Sequence, residues 1–311
     1  MLPQNLPTPA VSHTGARLCQ SLRKLKGWFL PAEIQIVRTP RELTAAMEAW
    51  KRAGNRVAFV PTMGALHAGH LTLVEVGLRH ADKVAASIFV NPKQFGPTED
   101  LDRYPRDEAG DAAKLAAVGC TLLYAPTVET MYPPGFASYV RVAGLPDVLC
   151  GAARPGHFDG VATVVSKLLA AARADVAVFG EKDWQQLAIV RRMALDLDLG
   201  TEIIGGAIIR DSDGLALSSR NLYLTADERV RALALPQALV TARAALLAGG
   251  DVATVLAAAR AQMVAAGFAR VDYVELVDGE RLHSLTSVIP GARLMAAAVM
   301  GTTRLIDNLA V

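Results

Sequence analysis

From Ile34 onward the chain alternates short apolar runs with longer segments whose apolar positions recur every three or four residues. The runs IQIV (34–37), RVAFV (56–60), KVAASIFV (83–90), TLLYA (121–125) and DVAVFG (175–180) predict buried strands. Between them, helices are predicted from Thr39 to Gly54, over about 67–81, near 107–118, over VATVVSKLLAAARA (161–174) and over DWQQLAIVRRMALD (183–196). The first carries its own punctuation: Thr39 as N-cap, Pro40 in the first turn, Glu42 three after the cap and Gly54 past the end. Alternation of this kind implies an α/β fold, a doubly wound parallel sheet with helices on both faces.

After Arg210 the pattern changes. An Ala-rich helical stretch (225–266), interrupted at Pro236 and at Gly249-Gly250, precedes strands near 270–277 and 292–299. The expectation is an α/β domain over 34–209 and a smaller C-terminal α+β domain over 210–311. Residues 1–33 differ from both. They contain no acidic residue before Glu33, four basic ones, and no apolar core of a secretory signal. A disordered, dispensable leader is expected there.

Composition narrows the partners. With 311 residues, two domains are the natural prior, and 52% hydrophobic residues with 5% aromatics fit an aliphatic, Ala-rich core. A formal charge of +2, with no basic run or aromatic stripe, argues against nucleic acid. Cys19, Cys120 and Cys150 are far apart and form no CxxC, so neither a disulfide framework nor a zinc ribbon is indicated. A reducing cytosol is the simplest compartment. No uncharged apolar stretch is long enough to span a bilayer, so no membrane is expected as a partner.

Four loops carry candidate chemistry. PTMGALHAGH (61–70) lies at the carboxyl edge of a strand and leads into a helix, where free N–H groups and the helix dipole suit phosphate. Gly69 allows a flat ring or a phosphate to approach the backbone, and His67 and His70 share one face of the first turn. A zinc site would want histidines at i, i+4 and a third ligand, and two histidines alone are more often surface or satisfied core residues. Strand, glycines and edge position together favour a phosphate grip. GEKDWQQL (180–187) also opens a helix after a strand: Lys182 can neutralise phosphate, Asp183 is expected as N-cap, Gln186 projects from the first turn and Gln185 faces solvent. RDSDGLALSSRN (210–221) puts Ser218, Ser219 and Arg220 in one loop that can wrap a triphosphate, although such loops are more often polar turns with a cap. In SIFVNPKQFGPTEDLDRYPR (87–106), Asn91 and Gln94 can hold a carboxylate or hydroxyls. Glu99, Asp100 and Asp102 there read as a solvated acidic loop rather than a magnesium site. Arg154, His157 and Asp159 form a further polar loop with no assignable role.

In this order, PTMGALHAGH, FVNPKQF, GHFDGV, FGEKDWQQL and DGLALSSRNLYL closely resemble the pantoate–β-alanine ligase family, of the HIGH-type nucleotidyltransferase superfamily related to class I aminoacyl-tRNA synthetases. The resemblance runs from about Ile34 through RLIDN (304–308). It implies a Rossmann-like domain with a C-terminal lid, a cytoplasmic homodimer, and ATP-dependent condensation of (R)-pantoate with β-alanine to pantothenate, AMP and pyrophosphate through a pantoyl-adenylate. ATP is a substrate and Mg²⁺ a cofactor in that reaction. Carried over residue by residue, Met63, Gly64, Ala65, Leu66, His67, Ala68, Gly69 and His70 contact ATP, with His70 as proton donor. Gly180, Glu181, Lys182, Asp183, Leu217, Ser218, Ser219 and Arg220 complete that site, with Ile209 near adenine. Gln94 and Gln186 bind pantoate, and Gln94 also serves β-alanine. Two departures stand out: the leader before Glu33, and Lys93 where the family usually has Met, beside Gln94.

The chemistry sets a charge problem, since a carboxylate must attack the α-phosphorus of ATP although both are anionic. His67, His70, Lys182 and Mg²⁺ are expected to offset that repulsion, while neutral Gln94 and Gln186 orient pantoate without an ion pair that blunts its carboxylate. The rival readings are an adenylyltransferase acting on a phosphate group and a non-catalytic ATP-binding module.

Overall fold

The computed structural model describes residues 34–97 and 99–311; the expected leader, with Cys19, lies outside the described residues. Six strands form one parallel sheet: β1 (Gln35–Val37), β2 (Val57–Thr62), β3 (Lys83–Ile88), β4 (Leu122–Tyr124), β5 (Val176–Gly180) and β6 (Glu202–Gly206), in the order β1-β4-β3-β2-β5-β6. Helices α1 (Pro40–Arg52), α2 (Ala68–His80), α3 (Glu108–Ala117), α4 (His157–Ala172) and α5 (Trp184–Asp196) connect them. The Thr39–Glu42 capping box forms as predicted. Strand β6 is absent from the predicted set, because EIIGG is short and ends in two glycines.

Successive strand residues point to opposite faces, so each central strand feeds two hydrophobic layers. Phe59, Ala177 and Phe179 join Leu169 and Leu187 on the α4–α5 side. Ala58, Val60, Val176 and Val178 join Val74 and Leu115 on the α2–α3 side. Burial on both faces explains why these strands read as continuous apolar runs rather than alternating ones.

The C-terminal part is built on an antiparallel sheet, β7 (Arg270–Asp278), β8 (Ala292–Met300) and β9 (Thr303–Ala310), in that order. Helices α6 (Ala226–Arg231), α7 (Ala234–Leu247) and α8 (Val252–Ala265) precede it. Gly249-Gly250 separates α7 from α8 as expected, and the helix is also interrupted at 232–233, between α6 and α7, one turn before Pro236. Pro236 has no N–H to give the Ala232 carbonyl, which accepts the Leu235 N–H instead, and the proline itself sits in the first turn of α7. The nearly continuous stretch Ala226–Leu247 has the length and apolar composition to cross a bilayer. It carries Asp227, Glu228, Arg229 and Arg231 in its first turns, and it buries Leu235, Leu239, Ala242 and Leu246 in the same cluster as β7 and β8. The other face of this sheet, through Tyr273, Val277, Met295 and Ala297, shares the α4–α5 layer of the parallel sheet.

Candidate active site

The strand order reverses between β2 and β5, which opens a crevice beyond their carboxyl ends. At the end of β2, Thr62 Oγ1 donates to the Ser87 carbonyl at 2.7 Å and accepts the Gly64 N–H at 3.2 Å. Ala65 then takes a left-handed φ of 52°. The Leu66 N–H donates to buried Asp111 at 2.9 Å, and Lys114, paired with that carboxylate at 3.1 Å, donates to the Leu66 carbonyl at 3.0 Å. Both main-chain groups of Leu66 are thereby held, and His67 is delivered to the N-cap position of α2.

The two histidine rings lie against each other, tilted by 41°, with centroids 4.1 Å apart. His70 Nδ1 accepts the His67 main-chain N–H at 3.4 Å, so the ring proton of neutral His70 sits on Nε2. The ring that Gly69 accommodates is this chain's own: a Cβ there would lie 3.0 Å from His67 Cε1, a contact the imidazole would have to shift to relieve. His67 Nδ1 is buried without a hydrogen-bond partner. Burial, then the neighbouring Lys182 charge, lowers His67 to about 4; burial, then His67, lowers His70 to about 3. This corrects the electrostatic expectation. Without ligand both imidazoles are neutral near pH 7 and offer N–H donors, which leaves Lys182 as the cationic member of the trio.

Lys182 follows β5 in the single turn Glu181–Asp183, its ammonium 4.0 Å from the Asp183 carboxylate. Asp183 occupies the N-cap position of α5, but its side chain makes no cap hydrogen bond. Gln185 does not face solvent. It is 2% exposed, accepts the Cys150 N–H at 2.9 Å, and donates to the Leu145 and Val148 carbonyls at 2.8 Å each. The residue after Asp183 and Trp184 on a helix turns inward here because a short helix (Leu149–Ala153) packs over it with main-chain groups that need partners.

Gln94 is oriented by a chain of unambiguous partners. Asn91 Oδ1 accepts the Lys93 main-chain N–H (3.2 Å) and the Tyr132 hydroxyl (2.8 Å), so Asn91 Nδ2 donates to the Gly160 carbonyl (3.1 Å) and to Gln94 Oε1 (3.0 Å). The Gln94 NH₂ is left facing Met63 and the crevice, with Sδ 2.9 Å away. Behind it, His157 Nδ1–H donates to the Gln94 carbonyl at 2.7 Å and His157 Nε2 accepts from Arg154 at 3.0 Å. Burial, then the Arg154 charge, lowers His157 to about 4. Arg154 and His157, which had no role from sequence, thus back the Gln94 loop. Lys93 turns elsewhere: its ammonium lies 5.1, 5.3 and 4.7 Å from the ring centroids of Tyr132, Phe136 and Tyr139 and donates to the Tyr139 hydroxyl at 3.0 Å.

The loop 210–221 closes the crevice from the other side. The Leu217 N–H donates to the Ile209 carbonyl at 2.9 Å, Ser218 Oγ accepts the Arg220 N–H at 3.3 Å, and Ser219 Oγ lies 3.4 Å from the Tyr104 hydroxyl. The acidic segment is not a solvated loop. Asp100 pairs with Arg220 at 3.0 Å, and Glu99 pairs with Arg154 at 2.5 Å; Asp102 alone of the three is exposed.

A cavity of about 220 Å³ results. It brings together Met63, His67, Gly69, His70, Gln94, Gly180, Lys182, Asp183, Gln186, Ile209, Leu217, Ser218, Ser219 and Arg220. Gly64, Ala65, Leu66, Ala68 and Glu181 do not line it; Leu66 is core and Glu181 pairs with Arg293 at 3.7 Å. Missed in the sequence were Tyr104 and the apolar wall of Phe89, Val161, Val164, Val165 and Leu168. The wall was legible as the i, i+3, i+4, i+7 spacing in VATVVSKL, but any core helix has that spacing. A larger space of about 630 Å³, reaching β7–β9, shares Lys182, Asp183, Gln186, Ser218 and Arg220 with it.

A parallel sheet with a switch-point crevice, a helix N-terminus carrying neutral donors, a lysine on the turn after β5, and a polar loop opposite define the class: a doubly wound α/β protein whose crevice suits a polyanionic ligand. The sequence profile described as Pantoate-beta-alanine ligase matches residues 35–310, and the chain belongs to that family. It is 59% identical to the pantothenate synthetase of Sphingopyxis alaskensis, covering 89% of this chain and all of that protein. To the pantothenate synthetase of Caulobacter vibrioides it is 56% identical, covering 89% and 98%. The crystal structure of pantothenate synthetase from Thermus thermophilus superposes with a TM-score of 0.84 at 48% identity, covering 89% and 99%. The Francisella tularensis pantoate-beta-alanine ligase, solved in complex with beta-gamma ATP and beta-alanine, gives 0.75 at 30% identity, covering 89% and 97%.

Proposed function

We propose that the switch-point cavity carries out the family's reaction, ATP-dependent condensation of (R)-pantoate with β-alanine to pantothenate, AMP and pyrophosphate, in two steps. The observation that carries this reading is the convergence of the histidine pair, Lys182, Gln94 and Gln186 on one cavity. In the first step a pantoate carboxylate oxygen attacks the α-phosphorus of ATP and pyrophosphate leaves. His70 Nε2–H and the His67 ring donate to phosphate oxygens, and Lys182 meets the charge that grows on the leaving group. The Gln94 NH₂ and Gln186 hold pantoate, whose geminal methyls suit the wall of Val161, Val164 and Leu168. In the second step the neutral amine of β-alanine attacks the acyl carbon and AMP leaves, with Gln94 again orienting the acyl group.

Among the described residues no cluster of three or more metal-binding side chains exists. That fits Mg²⁺, which usually arrives on ATP phosphates with one or two carboxylates, better than a metal held by a protein cage. Asp183, on the cavity and uncommitted to its helix cap, is the carboxylate we assign to it; bound Mg²⁺ would neutralise phosphate charge. The same reading divides the chain near 209/210, with 210–311 acting as a lid, and takes the enzyme to be a cytoplasmic homodimer, testable by light scattering and cell fractionation.

AMP release from ATP and pantoate, with and without β-alanine, tests the function. Free AMP that depends on β-alanine, with pyrophosphate formed in its absence, is expected. AMP found covalently on a phosphorylated product would replace this reading with an adenylyltransferase.

A further inference from the structure

We infer that Asn308, on the last strand of the C-terminal sheet, is a positioning residue for Lys182; this rests on the phosphate role proposed for that lysine. Asn308 is 1% exposed, and its Nδ2 donates to the carbonyls of both Glu181 and Lys182 at 2.9 Å. Its Oδ1 accepts from Arg293, whose guanidinium lies 3.3 Å from the centre of the Trp184 ring and 3.7 Å from the Glu181 carboxylate. Two carbonyls on one side and a guanidinium on the other demand a group that donates twice and accepts once. An amide does this, whereas a carboxylate or an aliphatic side chain does not.

The turn so held carries Lys182 out to both cavities. Within the turn, Asp183 does not cap α5 and Gly180 has no side chain to contribute, so besides the Glu181–Arg293 pair the Asn308 amide is the side chain that holds its carbonyls. The neighbouring residue does the same for the opposite loop: buried Asp307 pairs with Arg210 at 2.7 and 2.9 Å, at the start of the segment that ends in Ser218–Arg220. Strand β9 therefore grips, through two adjacent side chains, the bases of the two loops that carry Lys182 and Arg220. Lys182 is the one whose own main-chain carbonyl is gripped.

A double-mutant cycle on pantoyl-adenylate formation tests this, using rapid-quench measurements on wild type, Lys182→Ala, Asn308→Ala and the double variant. Loss of two hydrogen bonds at the turn should slow adenylate formation about 10-fold in Asn308→Ala. In the Lys182→Ala background the same change should cost less than about 2-fold, because the group it positions is gone. Attack of β-alanine on preformed pantoyl-adenylate should stay within about 2-fold of wild type in Asn308→Ala, since the lysine's partner has already left. Should Asn308→Ala not fold, Asn308→Asp, of the same shape but unable to donate, takes its place in the cycle. Multiplicative losses with a slow Lys182→Ala, or an equal loss in both half-reactions, overturn the positioning role alone. A Lys182→Ala enzyme with normal adenylate formation overturns the phosphate role of the lysine and this inference with it.

Discussion

The main-chain carbonyl of Gln94 receives the Nδ1–H of His157 across 2.7 Å, and Gly160, on the same helix, lies directly beneath that loop. A Cβ on Gly160 would sit 2.2 Å from the Lys93 carbonyl oxygen and 2.8 Å from the Gln94 nitrogen. The helix and the Gln94 loop fit together only with glycine there.

Gly160→Ala should therefore displace Gln94 while leaving the histidine loop in place. Misplacement of an orienting group by an ångström costs on the order of 10²-fold in kcat/KM. Steady-state kinetics should show that loss for pantoate, and equilibrium dialysis should show ATP binding unchanged. Equal weakening of ATP binding would mean the fold, not the loop, had moved.

His70→Ala should abolish most pantoyl-adenylate formation but spare the attack of β-alanine on supplied intermediate. In the proposed mechanism its Nε2–H donates to charge that develops while pyrophosphate leaves, and a lost donor of this kind costs about 10²-fold or more. An equal defect with ATP plus pantoate and with preformed pantoyl-adenylate would assign His70 to the amine step instead.

Stability should fall as pH drops below neutral. His67, His70 and His157 sit at about 4, 3 and 4 in the folded protein, all below the ordinary 6.5. Between pH 6.5 and about 4 the unfolded chain takes up protons that the native state refuses, so their contribution is intact above 6.5 and is lost on acidification. The slope is at most about 1.4 kcal/mol per pH unit for each histidine, less for the partly solvated His67. Urea unfolding at pH 7 and pH 5 should show a smaller pH-dependent loss in His70→Gln than in wild type; identical losses would exclude His70 as a source.

Gln185→Leu should destabilise without a selective kinetic defect. The change strands the buried Cys150 N–H and removes the side-chain donor of the Leu145 carbonyl, at about 1–3 kcal/mol for each buried group left unpaired, while the Val148 carbonyl keeps the Gly151 and Ala152 N–H groups. Thermal unfolding should register a large drop in midpoint, while the folded fraction retains its KM for pantoate. A raised KM at unchanged stability would place Gln185 in the substrate pocket.

Lys93→Met should leave the pantoate KM within about 2-fold, because the lysine points into the Tyr132–Phe136–Tyr139 cage and not into the cavity. The expected cost is in stability, about 0.5–2 kcal/mol for the lost cation–π contacts. A several-fold change in pantoate KM with unaltered stability would contradict that placement.

The sequence by itself determined the local and periodic features of this protein. Thr39-Pro40-Arg41-Glu42 caps α1 because the capping groups lie within one turn of each other, and VAFV and DVAVF are strands because both faces of a parallel sheet accept aliphatic side chains. The histidine pair was legible for the same reason, lying within four residues of chain. Only the tertiary structure decided the partners separated by long stretches of chain. Gln185 turned inward because main-chain groups from 145–150 needed an amide, and the acidic loop became two ion pairs because Arg154 and Arg220 arrive from distant segments. The charge state of the histidines was likewise undecided by residue type, since burial pushes both imidazoles to neutrality. The same holds for β9: TRLIDNLA reads as a mixed polar segment because Asp307 and Asn308 are buried for partners at Arg210, Arg293 and the 181–182 turn, which no local pattern announces.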